Sequence, residues 1–293
     1  MSISSENHVI IPQFLVEACG QSPERLEWLA RLPLTVLELS RRWSLDLAAP
    51  FNHGEVSCAW VAPVKRNGLS SAVLKISMPH MEADHEIAGL RFWHGDPTVR
   101  LLEADQDLGA MLLERCEPGT HLRQLPEDEQ DKVIAGLLRR MWREPQAPHP
   151  FRPLSTLLET WNRETEEQAH LWPDPGLVRE GLDLFGELSG TASDPVLLGT
   201  DVHAGNVLRA QREPWLVIDP KPFVGDRTYD ATQHVLNCSA SLRSDPLGTI
   251  RRFSGLLGVD PERVRLWTFA RVAADPRRHW TQEALDVARR LAP

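Results

Sequence analysis

Residues 198–208 are Leu198-Gly199-Thr200-Asp201-Val202-His203-Ala204-Gly205-Asn206-Val207-Leu208, and residues 215–220 are Trp215-Leu216-Val217-Ile218-Asp219-Pro220. The two short apolar runs in these stretches predict buried strands, and the polar residues 209–214 between them predict a hairpin turn. Such a hairpin brings Asp201, Asn206 and Asp219 to one end. Two carboxylates and an amide in one place provide the oxygen ligands that a divalent cation prefers.

Phosphoryl transfer uses a set of this kind, because the protein mainly positions groups and neutralises phosphate charge. Asp201 would accept the proton of an attacking hydroxyl, while Asn206 and Asp219 would hold Mg²⁺ against the nucleotide phosphates. The Asp-x-x-x-x-Asn spacing alone is more typical of an ordinary loop in which side chains cap a helix or strand. The second Asp at a strand end favours a kinase site.

The same residues resemble the aminoglycoside phosphotransferase family. More narrowly, two segments resemble the branch of streptomycin 6-phosphotransferases and hydroxyurea phosphotransferases. They are Val217-Ile218-Asp219-Pro220-Lys221-Pro222-Phe223-Val224-Gly225-Asp226 and Tyr229-Asp230. The resemblance extends from about Pro50 to the C-terminus. It implies an α+β, protein-kinase-like two-lobed fold, with an antiparallel sheet in a small N-terminal lobe and a mostly helical C-terminal lobe. It also implies ATP-dependent phosphorylation of a hydroxyl group on a small molecule.

Two positions depart from the family pattern. Gly199-Thr200 precedes Asp201 where His-Gly is common, so a histidine that supports the loop is missing. Pro220 follows Asp219 where protein kinases have Phe-Gly, which argues against a switch based on that phenylalanine. His203 lies beside Asp201 in sequence, and we assign it a structural role because a loop histidine is more often hydrogen-bonded than catalytic.

Lys75 lies within the apolar, strand-like run Ser71–Ser77. A lone lysine in a strand is usually a solvated edge residue. However, Val-Leu-Lys-Ile around it resembles the kinase strand whose lysine holds the α- and β-phosphates, and that role requires an acid from the following helix. We predict Glu86, which shares a helical face with Leu90, and we keep Glu82 as the alternative.

The resemblance assigns further nucleotide contacts. The turn that contains Gly54 would lie over the ATP phosphates, although a single glycine fits an ordinary β-turn equally well. Backbone groups of Glu114 and Cys116 would bind the adenine edge, with Leu113 behind it. A simple linker predicts the same sequence at this point, so the adenine contacts depend on the family resemblance.

Two lobes are expected because strand patterns give way to helical patterns at the stiff turn Glu117-Pro118-Gly119. The predicted N-terminal lobe is residues 1–116, with leading helices and then a nucleotide-binding sheet with one helix. The predicted C-terminal lobe is residues 117–293, helical, with the catalytic hairpin and the acceptor site. Pro33 is expected to break the helical pattern of the leading segment.

Composition excludes several classes of function. The formal charge of −9 argues against binding to nucleic acid or to an anionic membrane, and it is compatible with a cationic substrate. The 4 cysteines form no C-x-x-C pair, which fits a reducing cytoplasm. Neither a signal peptide nor a membrane-spanning run of ~18 apolar residues is present in the sequence. We expect a cytoplasmic monomer.

The sequence therefore predicts an ATP- and Mg²⁺-dependent O-phosphotransferase for an aminoglycoside, most simply a streptomycin-like antibiotic to which it would confer resistance. A housekeeping kinase of a sugar, an amino sugar or a hydroxyurea-like compound is one alternative, and a catalytically silent nucleotide-binding module is the other. Candidate acceptor contacts on the C-terminal helices are Trp267, Asp275 and Trp280, although aromatic residues there are more often core. Asp226 is expected to cap a helix or to line the acceptor pocket, and Asp230 to cap the same helix.

Overall fold

The structure is a computed structural model that describes residues 9–20, 22–52, 58–67, 70–276 and 280–293. The chain divides into two compact units, Met1–Gly119 with Ala210–Arg212, and Thr120–Arg209 with Glu213–Pro293. That the functional lobes divide after residue 116 stays a prediction.

The first unit contains an antiparallel sheet and three helices among its described residues. In chain order its elements are α1 Gln13–Cys19, α2 Pro23–Arg42, β1 Leu45–Leu47, β2 Ala59–Arg66, β3 Ser70–Ser77, α3 Glu86–Trp93, β4 Leu101–Asp105 and β5 Ala110–Glu114. The described strands pair in the order β1-β2-β3-β5-β4, and each pair is antiparallel. Lys75 and Leu113 thus lie on adjacent strands near the centre of the sheet.

Helix α2 continues through Pro33, so the prediction that this proline breaks the helix was wrong. A proline inside a helix removes one backbone donor and costs about 3 kcal/mol. Against this penalty, Trp28, Leu32, Val36 and Leu39 are buried along one face of α2 and pack in the same core cluster as the inner residues of the sheet. Tertiary packing outweighs the local preference.

The second unit is mostly helical. In chain order its elements are α4 Glu127–Met141, α5 Leu154–Glu167, α6 Pro175–Gly190, β6 Val196–Leu198, β7 Val207–Arg209, β8 Trp215–Val217, β9 Phe223–Gly225, α7 Arg227–Asn237, α8 Ser239–Ser244, α9 Pro246–Leu257, α10 Pro261–Ala274 and α11 Gln282–Leu291. β7 and β8 form the predicted antiparallel hairpin. A second pair, β6 with β9, was not predicted.

Helix α10 is the central helix of the second unit, in contact with α6, α7, α9 and α11. The exposed fraction is 0% for Trp267 and 2% for Asp275, so the suggestion that these residues contact an acceptor was wrong. The Trp267 ring lies edge-on to Tyr229, with ring centroids 5.2 Å apart. The half-buried Trp280 donates from its indole nitrogen to the carbonyl oxygen of Ala273 at 2.9 Å. Trp267 and Tyr229 therefore belong to the core, and a contact of Trp280 with an acceptor stays a prediction.

Asp226 caps α7 as predicted, because its carboxylate accepts the backbone N–H of Thr228 at 2.9 Å. The same carboxylate accepts from the indole of Trp267 at 2.9 Å and from Arg263. Burial raises the pKa of Asp226, but these hydrogen bonds outweigh it and leave the pKa below its usual value. Asp226 is therefore a buried structural residue, and the alternative that it lines an acceptor pocket was wrong.

No helix in the part of the chain that the structure describes is both long and apolar enough to cross a membrane.

Candidate active site

The hairpin of β7 and β8 positions two of the three residues that the sequence singles out. Asn206 directly precedes β7, and Asp219 is separated from the end of β8 by Ile218. The backbone N–H of Ile218 donates to the carbonyl oxygen of Asn206 at 2.9 Å, so the pairing continues one step beyond the strands. This bond holds Asn206 opposite the residue that precedes Asp219.

Asp201 is joined to Asn206 through the asparagine side chain. Nδ2 of Asn206 donates to the backbone oxygen of Asp201 at 3.0 Å and to its carboxylate Oδ2 at 3.2 Å. The other carboxylate oxygen, Oδ1, accepts from Nε2 of Gln233 at 2.6 Å. Two amides therefore fix the plane of the Asp201 carboxylate. Gln233 had no role in the sequence analysis, because it follows Asp201 by 32 positions and belongs to no motif.

Asp219 is paired with a lysine that follows it by two positions. Nζ of Lys221 lies 2.6 Å from Oδ1 of Asp219, and Lys221 is 6% exposed. The backbone of Asp219 has φ 53°, a left-handed conformation that is uncommon for residues other than glycine. The sequence analysis quoted Lys221 in the family motif but gave it no function.

The turn before Asp201 is tied to the segment after Asp219. The hydroxyl of Thr200 donates to the carbonyl oxygen of Lys221 at 2.7 Å, and the backbone N–H of Lys221 donates to the carbonyl oxygen of Gly199 at 2.8 Å. Thr200 has φ 42°, so the turn is held in a conformation that a β-branched residue rarely adopts. Thr200 thus links the two loops at the position where the family pattern has no hydroxyl.

Asp230 supports the same turn from helix α7. Its buried carboxylate accepts the backbone N–H groups of Gly199 at 3.0 Å and Thr200 at 2.8 Å, and the indole N–H of Trp142 at 3.0 Å. Burial raises the pKa of Asp230 to about 6, against the opposing effect of these three donors and of Arg271. The prediction that Asp230 caps α7 was wrong, because the side chain serves the turn that precedes Asp201.

His203 has the structural role that the sequence analysis assigned to it. Its Nδ1 accepts the backbone N–H of Gly205 at 3.1 Å, and its Nε2 lies 3.8 Å from Oδ1 of Asp201. Burial lowers the pKa of His203, although the charge of Asp201 acts in the opposite direction. A Cβ atom on residue 205 would lie 2.7 Å from the His203 ring, so the packing requires glycine there. The imidazole is therefore neutral near pH 7.

In the first unit, Lys75 is paired with Glu86. Nζ of Lys75 lies 2.6 and 2.7 Å from the two carboxylate oxygens of Glu86, and both side chains are buried. Glu82 lies in a short 3₁₀ turn, Met81–Ala83, and α3 begins only at Glu86. The expectation of one helix that carries both acids was wrong, because Glu82 belongs to this separate turn and precedes the start of α3. The binding of phosphate by Lys75 stays a prediction.

The other predicted nucleotide contacts are placed as follows. Gly54 lies outside the described residues. Leu113 is buried in β5 opposite Val73 of β3. The backbone N–H of Glu114 donates to the carbonyl oxygen of Arg100 at 2.9 Å, so a backbone contact of Glu114 with adenine has to use its carbonyl oxygen. Burial raises the pKa of the Cys116 thiol to about 12, which keeps it protonated.

Comparison with known proteins agrees with this arrangement. The family model described as aminoglycoside/hydroxyurea antibiotic resistance kinase matches residues 42–281. The hydroxyurea phosphotransferase of Kitasatospora aureofaciens is 38% identical over 273 residues, which cover 90% of this chain and 78% of that protein. The streptomycin 6-kinase of Streptomyces griseus is 37% identical over 234 residues, which cover 78% of this chain and 75% of that protein.

The fold resembles that of the choline kinase LicA from Streptococcus pneumoniae, with a TM-score of 0.62 and 12% sequence identity. The match covers 91% of this chain and 97% of that chain, so the predicted α+β, protein-kinase-like fold is confirmed. The chain therefore belongs to the aminoglycoside/hydroxyurea antibiotic resistance kinase family and is a phosphotransferase that acts on a hydroxyl group.

Proposed function

We propose that this phosphotransferase uses ATP and Mg²⁺ to phosphorylate a hydroxyl group of a streptomycin-like aminoglycoside. The observation that carries the proposal is the contact between Asn206 and Asp201, in which one amide nitrogen bonds both the backbone and the carboxylate of Asp201. This contact joins the proposed base to a proposed metal ligand. Asp219 follows the neighbouring strand of the same hairpin.

Asp201 is suited to accept a proton from a hydroxyl. Its carboxylate is held by two neutral amides, and the nearby His203 has a lowered pKa and so brings no positive charge near neutral pH. A positioned general base contributes about 10²- to 10⁴-fold to a rate.

Asn206 and Asp219 form a donor set that fits Mg²⁺. Magnesium prefers carboxylate and amide oxygens, and the NH₂ group of Asn206 is already bonded to Asp201, which leaves the oxygen of that amide as the ligand. Lys221 holds the Asp219 carboxylate at 2.6 Å. When bound, the metal ion neutralises charge on the nucleotide phosphates.

Lys75 would bind the phosphates of the nucleotide, and Glu86 would hold the ammonium group in place. A buried lysine with both carboxylate oxygens of its partner within 2.7 Å has little freedom to move. Leu113 and the backbone of Glu114 and Cys116 would contact the adenine ring. Each of these assignments follows the family pattern.

The substrate class rests on the relatives and on charge. Streptomycin 6-kinase is one of the two relatives described above, and a formal charge of −9 suits a cationic aminoglycoside. A hydroxyurea-like compound is the second candidate, because the hydroxyurea phosphotransferase is similarly close at 38% identity. That the protein acts in the cytoplasm as a monomer stays a prediction.

The test is acceptor-dependent release of ADP by the purified protein. The panel contains streptomycin, other aminoglycosides, amino sugars and hydroxyurea, and Asp201→Asn serves as the blank. Asp194→Asn is the matched control, because it makes the same chemical change at an exposed aspartate of the same unit. We expect streptomycin to raise ADP release in the wild type and in Asp194→Asn, but not in Asp201→Asn.

Release that depends on hydroxyurea alone would move the second candidate ahead. If no acceptor raises ADP release above the Asp201→Asn blank, the proposal fails. Nucleotide binding in a thermal-shift assay with and without Mg²⁺ would then support a housekeeping kinase of another compound or a silent nucleotide-binding module.

A further inference from the structure

Gln233 connects the proposed base to a buried arginine. Its Nε2 donates to Oδ1 of Asp201 at 2.6 Å, and its Oε1 accepts from Nη2 of Arg271 at 2.7 Å. We propose that Gln233 is the positioning residue that holds Asp201 in its reactive orientation, and that Arg271 sets the direction of the Gln233 amide. This inference rests on the proposed function, in which Asp201 is the base.

Arg271 is fixed by its surroundings. It is 2% exposed, and its Nη1 donates to the hydroxyl of Thr232 at 2.8 Å. The guanidinium carbon lies 5.0 Å from the ring centroid of Tyr229 and 5.6 Å from that of Trp161, both cation–π contacts. The carboxylate of Asp275 lies 3.9 Å away and balances part of the charge. A guanidinium held on several sides is a rigid reference point for Gln233.

The arginine decides which end of the amide faces Asp201. A guanidinium group only donates hydrogen bonds, so Gln233 must turn its oxygen towards Arg271. Its NH₂ group then faces Asp201. An ionised carboxylate accepts this bond with either oxygen, whereas a protonated carboxyl group accepts it only when its unprotonated oxygen faces Gln233. With Asn206 bonded to Oδ2 and Gln233 to Oδ1, the carboxylate is defined in both rotation and charge.

The reaction requires that the Asp201 carboxylate have a fixed orientation. As the acceptor oxygen forms a bond to the γ-phosphorus, the bond from that phosphorus to the bridging oxygen of ADP breaks, and the hydroxyl proton passes to Asp201. A carboxylate oxygen has two acceptor positions, so the bond from Gln233 is compatible with a bond from the substrate hydroxyl. Misplacement of a reacting group by about 1 Å costs on the order of 10²-fold in rate.

Charged and titratable groups adjoin this contact. His203 approaches Oδ1 at 3.8 Å with a pKa lowered by burial. Arg271 bonds Gln233, and Asp275 lies beyond Arg271. Replacement of the Gln233 amide by a carboxylate therefore puts an acceptor against Asp201 in place of the donor.

The decisive variant is Gln233→Glu, which keeps the shape of the side chain and its bond to Arg271 but removes the donor to Asp201. We expect kcat to fall about 10- to 100-fold with the KM for ATP unchanged, the result expected when a reacting group is misplaced and the nucleotide site is intact. Gln233→Leu, which removes both bonds of the amide, should lower kcat by a similar factor. Asn237→Ala is the control, because Asn237 is exposed on the same helix and bonds only the backbone oxygen of Gln233 among the hydrogen bonds described.

A second measurement does not depend on turnover. The NMR signals of the Gln233 side-chain NH₂ group, identified by their loss in Gln233→Leu, should shift at constant pH in Asp201→Ala but not in Asp194→Asn. The inference is overturned by unshifted signals in Asp201→Ala, or by a folded Gln233→Glu, as judged by circular dichroism, that keeps the wild-type kcat. If no acceptor is phosphorylated by the wild type, the proposed function fails while the amide signals still decide whether Gln233 holds Asp201.

Discussion

The backbone N–H of Thr200 donates to the carboxylate of Asp230 at 2.8 Å, across 30 positions of sequence. The neighbouring N–H of Gly199 and the indole of Trp142 bind the same carboxylate. The turn that presents Asp201 is therefore anchored by a residue of helix α7, and α7 also carries Gln233, which bonds Asp201 directly. Helix α7 thus bonds both the side chain of the proposed base and the backbone of the two residues that precede it.

Asp230→Asn should destabilise the protein and slow it. The asparagine NH₂ group cannot accept the N–H groups that now point at the carboxylate, and a buried donor left without a partner costs about 1–3 kcal/mol. We expect a loss of roughly 2 kcal/mol in the free energy of unfolding near pH 4, where the raised pKa keeps Asp230 protonated in the folded protein, together with a lower kcat. Urea unfolding of this variant and of the exposed control Asp194→Asn would measure it. Equal stability of the two variants would contradict the role of Asp230.

The contribution of Asp230 to stability should also depend on pH. Its pKa is raised to about 6 in the folded protein from its ordinary value of 3.8, so folding takes up a proton between these pH values. Because the native state binds this proton more tightly, the free energy of unfolding falls as pH rises from about 4 to about 6. The difference in unfolding free energy between wild type and Asp230→Asn should shrink over that range by on the order of 3 kcal/mol. A difference that grows with pH would be the contrary result.

Thr200→Val tests the link between the two loops. The substitution keeps the shape of the side chain but removes the hydroxyl that donates to Lys221 at 2.7 Å. We expect a loss of about 1 kcal/mol in the free energy of unfolding and a fall in kcat of about 10-fold, because the loops carrying Asp201 and Asp219 lose one connection. Thr200→Ser retains the hydroxyl and should restore both values. If valine and serine behave alike, the hydroxyl does not connect the loops.

Short-range features of this chain are predictable from its sequence. The hairpin of β7 and β8 follows from two apolar runs with a polar turn between them, and Asp226 is recognisable as a cap because it immediately precedes a helix. In each case the interacting groups lie within ten residues of each other. Local patterns are sufficient for such features.

Other features depend on contacts between distant residues. Asp230, Gln233 and Thr200 act through partners 21 to 88 positions away, so no local pattern distinguishes them from ordinary polar residues. The burial of Trp267 requires that other helices surround α10, which the sequence of α10 does not reveal. These supporting residues of the site could therefore be identified only from the structure.

Lys75→Ala should affect both stability and nucleotide binding. The substitution leaves Glu86 buried at 1% exposure without the ammonium group at 2.6 Å, and breaking a buried ion pair on one side costs about 3–5 kcal/mol. Urea unfolding should show this loss, and the KM for ATP should rise. The double variant Lys75→Met with Glu86→Leu should recover much of the stability but not the ATP binding. Lys132→Ala, at an exposed ion pair, is the control and should change neither property.

Asp201→Asn and Asp219→Asn should separate catalysis from metal–nucleotide binding. The Asp201 carboxylate accepts from the amides of Asn206 and Gln233, so Asp201→Asn removes the proposed base and should lower kcat by about 10²- to 10⁴-fold while ATP still binds. Asp219 is paired with Lys221, and its replacement leaves that buried ammonium group against a neutral amide at the proposed metal site. Isothermal titration with ATP and Mg²⁺ should therefore show weaker binding for Asp219→Asn alone. Normal turnover in both variants would show that the hairpin does not carry the chemistry.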